Sequence, residues 1–251
     1  MNVFNQITDK KSKGQKQLAV LIDPDKISNT DVEKLSRNAA DCNVDFIFVG
    51  GSLLTNGNLA NCIRRIKYAC NIPVVLFPGN NNQIDEQADA ILFLSLISGR
   101  NPDLLIGKQV TSAPLIREKN LEAISTGYML IESGNTTTAL YISNTVPIPA
   151  DKPDIASCTA MAGEMLGLKM IFMDAGSGAK NPVSESMIRE VRKAVQVPLI
   201  VGGGIKTPEK AIANCKAGAD IIVIGTSIEK DASMLAEFST AIKSAIITNY
   251  E

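Results

Sequence analysis

The chain has 251 residues, 45% of them hydrophobic, and sets 25 basic against 26 acidic side chains for a net charge of −1. With a pI near 5.7 it lacks the basic surface that non-specific nucleic-acid binding requires, and no run of roughly 18 apolar residues is present to span a membrane. There is no histidine, so histidine triads, histidine metal sites and imidazole acid–base chemistry are all excluded.

In chain order, the polar, lysine-rich start Met1–Lys16 has no apolar block and does not read as a secretory signal. Leu18–Ile22 is the first of eight short β-branched or apolar runs. Phe46–Val49, Val74–Phe77, Ala90–Leu94, Thr126–Ile131, Lys169–Met173, Leu199–Val201 and Ile221–Ile224 follow. Near-continuous apolar runs are the pattern of parallel strands buried on both faces. Helix-like stretches alternate with them. They are Val32–Ala40 behind Ser28, Leu59–Ala69 behind Asn56–Asn58, a segment from Asn101-Pro102 to Glu118, and Ile155–Leu166 behind Asp154. A further stretch leads from Ser184 into Val191–Val195, Lys210–Cys215 follows Thr207-Pro208-Glu209, and a last helix runs from Asp231 to Ile247. Thr207 reads as the N-cap and Pro208 as the first helical residue.

Strand–helix alternation predicts a parallel α/β sheet, and eight units in this length favour closure into one (β/α)8 TIM-type barrel, a single domain over residues 1–251. Only Pro78 to Gln87 separates the third and fourth strands, and it holds Gly79-Asn80-Asn81-Asn82-Gln83. A crossover with its helix needs at least about 10–12 residues, so the third helix is expected to be short or missing. Ser133–Pro153 is a long insertion after the fifth strand, of the kind that covers active sites on barrels. The five cysteines, Cys42, Cys62, Cys70, Cys158 and Cys215, lack Cys-x-x-Cys spacing and read as reduced, mostly buried thiols of a cytoplasmic protein.

Three glycine-rich turns follow the last three strands: Asp174-Ala175-Gly176-Ser177-Gly178-Ala179, Gly202-Gly203-Gly204-Ile205 and Gly225-Thr226-Ser227. Glycine lets backbone N–H groups approach an anion, and phosphate sites on barrels are commonly built by the loops after the last strands. Asp23-Pro24-Asp25-Lys26 follows the first strand and Gly50-Gly51-Ser52 the second. A carboxylate at that rim suits a hard cation such as Mg2+, while an ordinary capped turn accounts for Asp23 and Asp25 equally well. Asp174 is placed to accept a proton from a substrate hydroxyl, with Glu132 a weaker candidate for substrate contact. Leu53, Leu54, Phe77, Phe93, Leu96, Ile97, Tyr128, Tyr141 and Ile142 stand at or just beyond strand ends. Together they suggest a ligand with a charged head and an apolar tail.

Leu21-Ile22-Asp23-Pro24-Asp25-Lys26, Val49-Gly50-Gly51-Ser52, Phe77-Pro78-Gly79-Asn80, the Asp174–Ala179 turn, Val201–Ile205 and Gly225-Thr226-Ser227-Ile228-Glu229 occur in an order that resembles the geranylgeranylglyceryl phosphate synthases. These are archaeal ether-lipid enzymes with bacterial relatives, and the resemblance runs from about Leu18 to Glu229. It implies Mg2+-dependent transfer of a prenyl group from geranylgeranyl diphosphate to the free primary hydroxyl of sn-glycerol 1-phosphate. It further implies that Asp23 and Ser52 hold the metal. Phe172, Met173, Asp174, Ala175, Gly176, Ser177 and Gly178, with Gly203, Gly204, Gly225 and Thr226, would hold glycerol phosphate, and Asp174 would take the hydroxyl proton. The family often has tyrosine and glutamate where this chain has Phe172 and Asp174, which removes a hydroxyl and shortens a carboxylate by one methylene.

Relatives form dimers or hexamers, so a homo-oligomer is expected, and the lipid product makes transient membrane contact a hypothesis. The sequence leaves prenyl length open. Two alternatives stand beside this reading. One is another phosphate-binding barrel enzyme, an isomerase or lyase of sugar phosphates, which the apolar rim disfavours. The other is a non-catalytic barrel that senses a phosphorylated ligand, which the rim carboxylates disfavour.

Overall fold

The structure, a computed structural model, describes residues 2–56 and 58–245. Eight parallel strands close into a barrel in sequential order: β1 (Gln17–Ile22), β2 (Phe46–Val49), β3 (Val74–Leu76), β4 (Ala90–Leu96), β5 (Glu122–Leu130), β6 (Met170–Asp174), β7 (Leu199–Gly202) and β8 (Ile221–Ile224). β8 returns to β1 through the pairs Leu18↔Ile222 and Ala19↔Val223. α2 (Asn29–Asp41), α3 (Leu59–Ala69), α4 (Lys108–Glu118), α6 (Pro153–Met165), α7 (Glu185–Ala194), α8 (Pro208–Ala217) and α10 (Met234–Ser244) surround the strands. Two short helices, α5 (Thr138–Ser143) and α9 (Thr226–Lys230), sit in the loops after β5 and β8, and a π-helical turn, Asp103–Gly107, leads into α4. This is the (β/α)8 barrel that the eight apolar runs predict. Of the last helix as expected from the sequence, Ile246 and Ile247 lie outside the described residues.

The helix starts follow the capping chemistry of the sequence. Ser28, Ser184 and Thr207 accept from the N–H groups of Asp31, Met187 and Lys210 at the beginnings of α2, α7 and α8. Each such cap is worth about 1 kcal/mol. Asn58 makes no side-chain cap on α3.

Side chains alternate along each strand. On β1, Leu18, Val20 and Ile22 pack into the layer under the helices, while Ala19 and Leu21 face the barrel axis. On β6, Ile171 and Met173 face out while Met170 and Phe172 face in. This period of two carries Asp23, two residues beyond Leu21, and Asp174, two beyond Phe172, to the inner rim of the C-terminal mouth.

The opposite end is closed by α1 (Val3–Ser12), an element the sequence did not announce. Val3 and Ile7 are 2% and 1% exposed and join the inner core with Ala19, Phe46, Val75 and Ile124. The first turn of α1 is tied down by Glu122 at the start of β5, whose carboxylate accepts from the N–H groups of Val3 at 2.7 Å and Phe4 at 3.0 Å. At the same end of the barrel, Asp220 pairs with Arg192 at 2.9 Å and with buried Lys16 at 3.9 Å, and accepts from the Leu199 N–H. Burial pulls the Lys16 ammonium below its ordinary range despite the attraction of Asp220.

There is no helix between β3 and β4. Residues 77–89 form turns instead. Buried Gln83 fastens them to the β2 loop, its Nε2 donating to the Gly51 carbonyl at 2.9 Å and its Oε1 accepting from Gly79 N–H at 3.1 Å. β5 begins at Glu122, before the expected Thr126, because Glu122 and Ser125 break the apolar run while still pairing with Ala90 and Phe93 of β4.

Candidate active site

A cavity of about 830 Å3 fills the mouth and is lined by residues from the ends of all eight strands. One side of it is the glycine wall. Gly203 and Gly204 adopt left-handed backbone, with φ of +79° and +69°. A Cβ on Gly203 would lie 2.6 Å from both Asp174 Oδ1 and Gly176 N, so any larger residue would break the turn. Among the described residues, the N–H groups of Ser177, Gly203 and Gly204 donate to no protein acceptor. Unpaired N–H groups of this kind are anion-binding positions. Lys180 and Lys206 line the same side, and Lys206 Nζ donates to the Lys180 carbonyl at 3.4 Å.

Asp174 stands next to this wall, 7% exposed. Its Oδ1 accepts from Gly176 N–H at 2.7 Å and its Oδ2 from the phenol of Tyr128 at 2.6 Å. Burial lifts its pKa above the usual carboxylate range, and the two hydrogen bonds oppose that rise without cancelling it. The Gly176 N–H is therefore committed to Asp174 and not to a ligand. Tyr128, Phe172 and Phe77 pack together beneath, with ring centroids 5.1–5.7 Å apart.

Across the mouth, Asp23 Oδ2 pairs with Lys26 Nζ at 2.7 Å, and its Oδ1 accepts from Asp25 N–H at 3.1 Å. Burial acts to lower the Lys26 pKa, but the hydrogen bond and charge of Asp23 outweigh it, so the ammonium sits above its ordinary range. Burial also raises the carboxyl of Glu229, which feels both Lys26 and Asp23. Gly51 abuts Asp23, since a Cβ there would lie 3.2 Å from Oδ2, and Ser52 lines the cavity next to it. Asp25 has a different task. It accepts from Thr55 N–H at 2.5 Å, Thr55 Oγ1 at 3.0 Å and Asn56 N–H at 3.3 Å, and the Thr55 backbone bond leads in holding its pKa low. It fastens the β2 loop, as a capped turn would.

Among the described residues, no three acidic or thiol side chains gather for a metal. A cation at Asp23 would rest on one carboxylate and hydroxyl or substrate oxygens, which is how Mg2+ is commonly held in phosphate sites.

The far part of the cavity is apolar. Ile84, Ile91, Phe93, Leu96, Leu104, Ile116 and Ile142 line it. Ile91 and Ile116 belong to the outer core layer between strands and helices, so the cavity extends beyond the barrel mouth toward α4, beside the segment that replaces the third helix.

The structure brings Asp23, Ser52, Phe172, Asp174, Ser177, Gly178, Gly203, Gly204, Gly225 and Thr226 to this one cavity. Met173 and Ala175 do not line it, because their side chains pack into the outer core. Of the apolar rim residues, Leu53, Phe77, Phe93, Leu96, Tyr128 and Ile142 line the cavity. Leu54 instead packs against the outer core, Ile97 faces a groove between the π-helical turn and α6, and Tyr141 is exposed. Glu132 is drawn away to the insertion, where it accepts from Ala150 N–H at 3.4 Å. Lys180, Lys206 and the Tyr128 phenol were not singled out from the sequence as polar groups of the site. The position of Lys180 directly behind the Gly176–Ala179 turn was the available signal. All five cysteines are free, but only Cys62 and Cys215 are buried as expected, while Cys42 and Cys70 are half-buried and Cys158 is exposed.

The PcrB family profile matches residues 9–243. A geranylgeranylglyceryl phosphate synthase from Chitinophaga pinensis is 56% identical over 243 residues, covering 97% of this chain and 96% of that one. Another from Korarchaeum cryptofilum is 44% identical, covering 90% of this chain and 94% of its own. The crystal structure of (S)-3-O-geranylgeranylglyceryl phosphate synthase from Thermoplasma acidophilum in complex with sn-glycerol-1-phosphate matches with a TM-score of 0.91 at 32% identity, over 97% of this chain and 99% of that one. On fold, site and sequence together, the chain belongs to the PcrB family, with geranylgeranylglyceryl phosphate synthases among its relatives.

Proposed function

We propose that the protein transfers a prenyl group from a prenyl diphosphate to the free primary hydroxyl of sn-glycerol 1-phosphate, with geranylgeranyl diphosphate the donor that the relatives' name suggests. The observation that carries this reading is the continuity of one cavity from the unpaired N–H groups of Ser177, Gly203 and Gly204, past Asp174, to the apolar wall of Ile91, Phe93 and Ile116. The phosphate would sit on the glycine wall, with Lys180 and Lys206 balancing its charge. The prenyl chain would lie along the apolar wall toward α4. A sugar-phosphate isomerase has no use for that apolar extension.

In the reaction, the bond from the allylic carbon to the diphosphate oxygen breaks and its electron pair leaves with diphosphate. The glycerol hydroxyl oxygen bonds to that carbon, and Asp174 takes the hydroxyl proton. Asp23 and Ser52 would hold Mg2+, which when bound neutralises charge on the leaving diphosphate. Lys26 has a side chain 54% exposed and can swing from Asp23 to a phosphate oxygen. A cytoplasmic site of action and a homo-oligomeric state belong to the same reading, and sedimentation velocity tests the latter. No helix among the described residues is long and apolar enough to cross a membrane.

The test is to incubate the purified protein with labelled sn-glycerol 1-phosphate, Mg2+ and prenyl diphosphates of several lengths. An organic-extractable product that disappears with EDTA is expected. Glycerol phosphate binding without product from any donor would overturn the reading.

A further inference from the structure

We propose that Tyr128 is a positioning residue for Asp174, its phenol holding the carboxylate in the orientation in which it takes the substrate proton. The inference rests on the role given to Asp174 above.

β5 and β6 place Tyr128 opposite Phe172 and Leu130 opposite Asp174, so the phenol lies one inward-facing position below the carboxylate. The ring has little freedom there. It meets Phe172 edge-on at 5.5 Å and 81°, and Phe77 edge-on at 5.7 Å and 73°, while Phe77 stacks on Phe172 at 5.1 Å. Aromatic pairs favour these offset and edge geometries, and turning the phenol away would break two of them. The rings thus aim the hydroxyl at Oδ2, 2.6 Å away.

Among the described residues, Tyr128 supplies the side-chain hydrogen bond that Asp174 receives, and its other donor is the backbone of Gly176. Phe172, the neighbour at the paired position, has no hydroxyl to offer. β7 ends at Gly202, and Gly203 directly after it packs so closely against Oδ1 that no side chain fits. The other charged groups of the cavity, Asp23, Asp25, Lys26, Glu229 and Asp231 on the β1 and β8 side, Lys108 on α4, and Lys180 and Lys206 beyond the glycine wall, make no hydrogen bond to Asp174. Burial and then the charge of Asp174 hold the Tyr128 phenol well above its ordinary pKa, so it stays a donor at working pH. A fixed donor on one oxygen and a backbone donor on the other leave the carboxylate's remaining lone pairs pointing in set directions.

The experiment compares Tyr128→Phe with Asp174→Asn. Removing a hydrogen bond to a carboxylate is expected to lower the single-turnover rate about tenfold to a hundredfold. Binding of sn-glycerol 1-phosphate by titration should stay the same. The acid limb of the rate profile should move to higher pH, because a donor that favours the ionised form is gone. A merely structural role would weaken binding together with rate and leave the limb in place, and that result overturns the proposal. If Asp174→Asn is inactive while Tyr128→Phe keeps both rate and limb, this inference alone falls. If Asp174→Asn keeps its activity, the reading of Asp174 as base falls first. Should Tyr128→Phe not fold, 3-fluorotyrosine placed at position 128 keeps the ring and strengthens the donor. The limb should then move to lower pH, and an unmoved limb overturns the proposal.

Discussion

The two ends of the barrel are made by the same eight strands and treat polar groups in opposite ways. At the floor, Asp220 meets Arg192, Lys16 and a backbone N–H, and Glu122 meets two N–H groups of α1. Gln17 Oε1 and both side-chain polar atoms of Asn214, near the end of α8, are exceptions, buried without a partner. At the mouth, among the described residues, Asp174 is buried with no cation in hydrogen-bonding contact, and several N–H groups of the glycine wall have no acceptor. Native proteins leave few buried polar groups unmet, and those that remain call for a reason. Here the floor's charged groups are satisfied within the protein and stabilise the fold, whereas the mouth's open N–H groups and buried carboxylate are left for a ligand.

Substitutions can break that contrast. The largest effect is expected from Asp174→Asn, a loss of about 10²–10⁴ in rate with a melting temperature unchanged or raised, since the amide has no charge to desolvate. A large loss of stability instead would mean that the mouth, too, is built for stability. Asp220→Ala strands Lys16 and Arg192 and should cost about 3–5 kcal/mol, read as a lower urea midpoint, with normal turnover in the folded fraction. Ile7→Ala hollows the plug and should cost about 2–4 kcal/mol in the same measurement.

The smallest effect is in pH dependence. The folded-state pKa of Lys16 is lowered, so between that value and 10.5 the unfolded chain binds the extra proton and stability gains as pH rises. The stability of the wild type minus that of Lys16→Met should therefore grow with pH across this alkaline window. A flat difference would mean that Lys16 keeps an ordinary pKa at the floor.

What could be read from the sequence follows from the range of the forces involved. The strands were legible because burial on both faces writes apolar runs, as in Ile221–Ile224. The missing third helix was legible from loop length alone. α1 was not, because two buried residues, Val3 and Ile7, among polar ones make too thin a stripe. The start of β5 was hidden because Glu122 is there to cap another element. In the site, the rim positions of Asp23 and Asp174 follow from the period of two along β1 and β6. The Tyr128 hydrogen bond does not, since it joins residues 46 apart and depends on how β5 and β6 register. Asp25 looks like Asp23 in sequence, and only the positions of the Thr55 and Asn56 N–H groups separate their tasks.

The cap on α1 also bears on how the chain is made. Glu122 lies 119 residues beyond Val3, so at about 5–20 residues per second a ribosome takes roughly 6–24 s to deliver the seat of a helix it has already released. During that interval the inward faces of Ala19, Phe46 and Val75 have no plug. Aggregation of the nascent chain is therefore where a weakened cap is felt first. Glu122→Gln is expected to lower soluble yield on expression before it measurably lowers the free energy of unfolding, and comparing the two quantities on one preparation checks it.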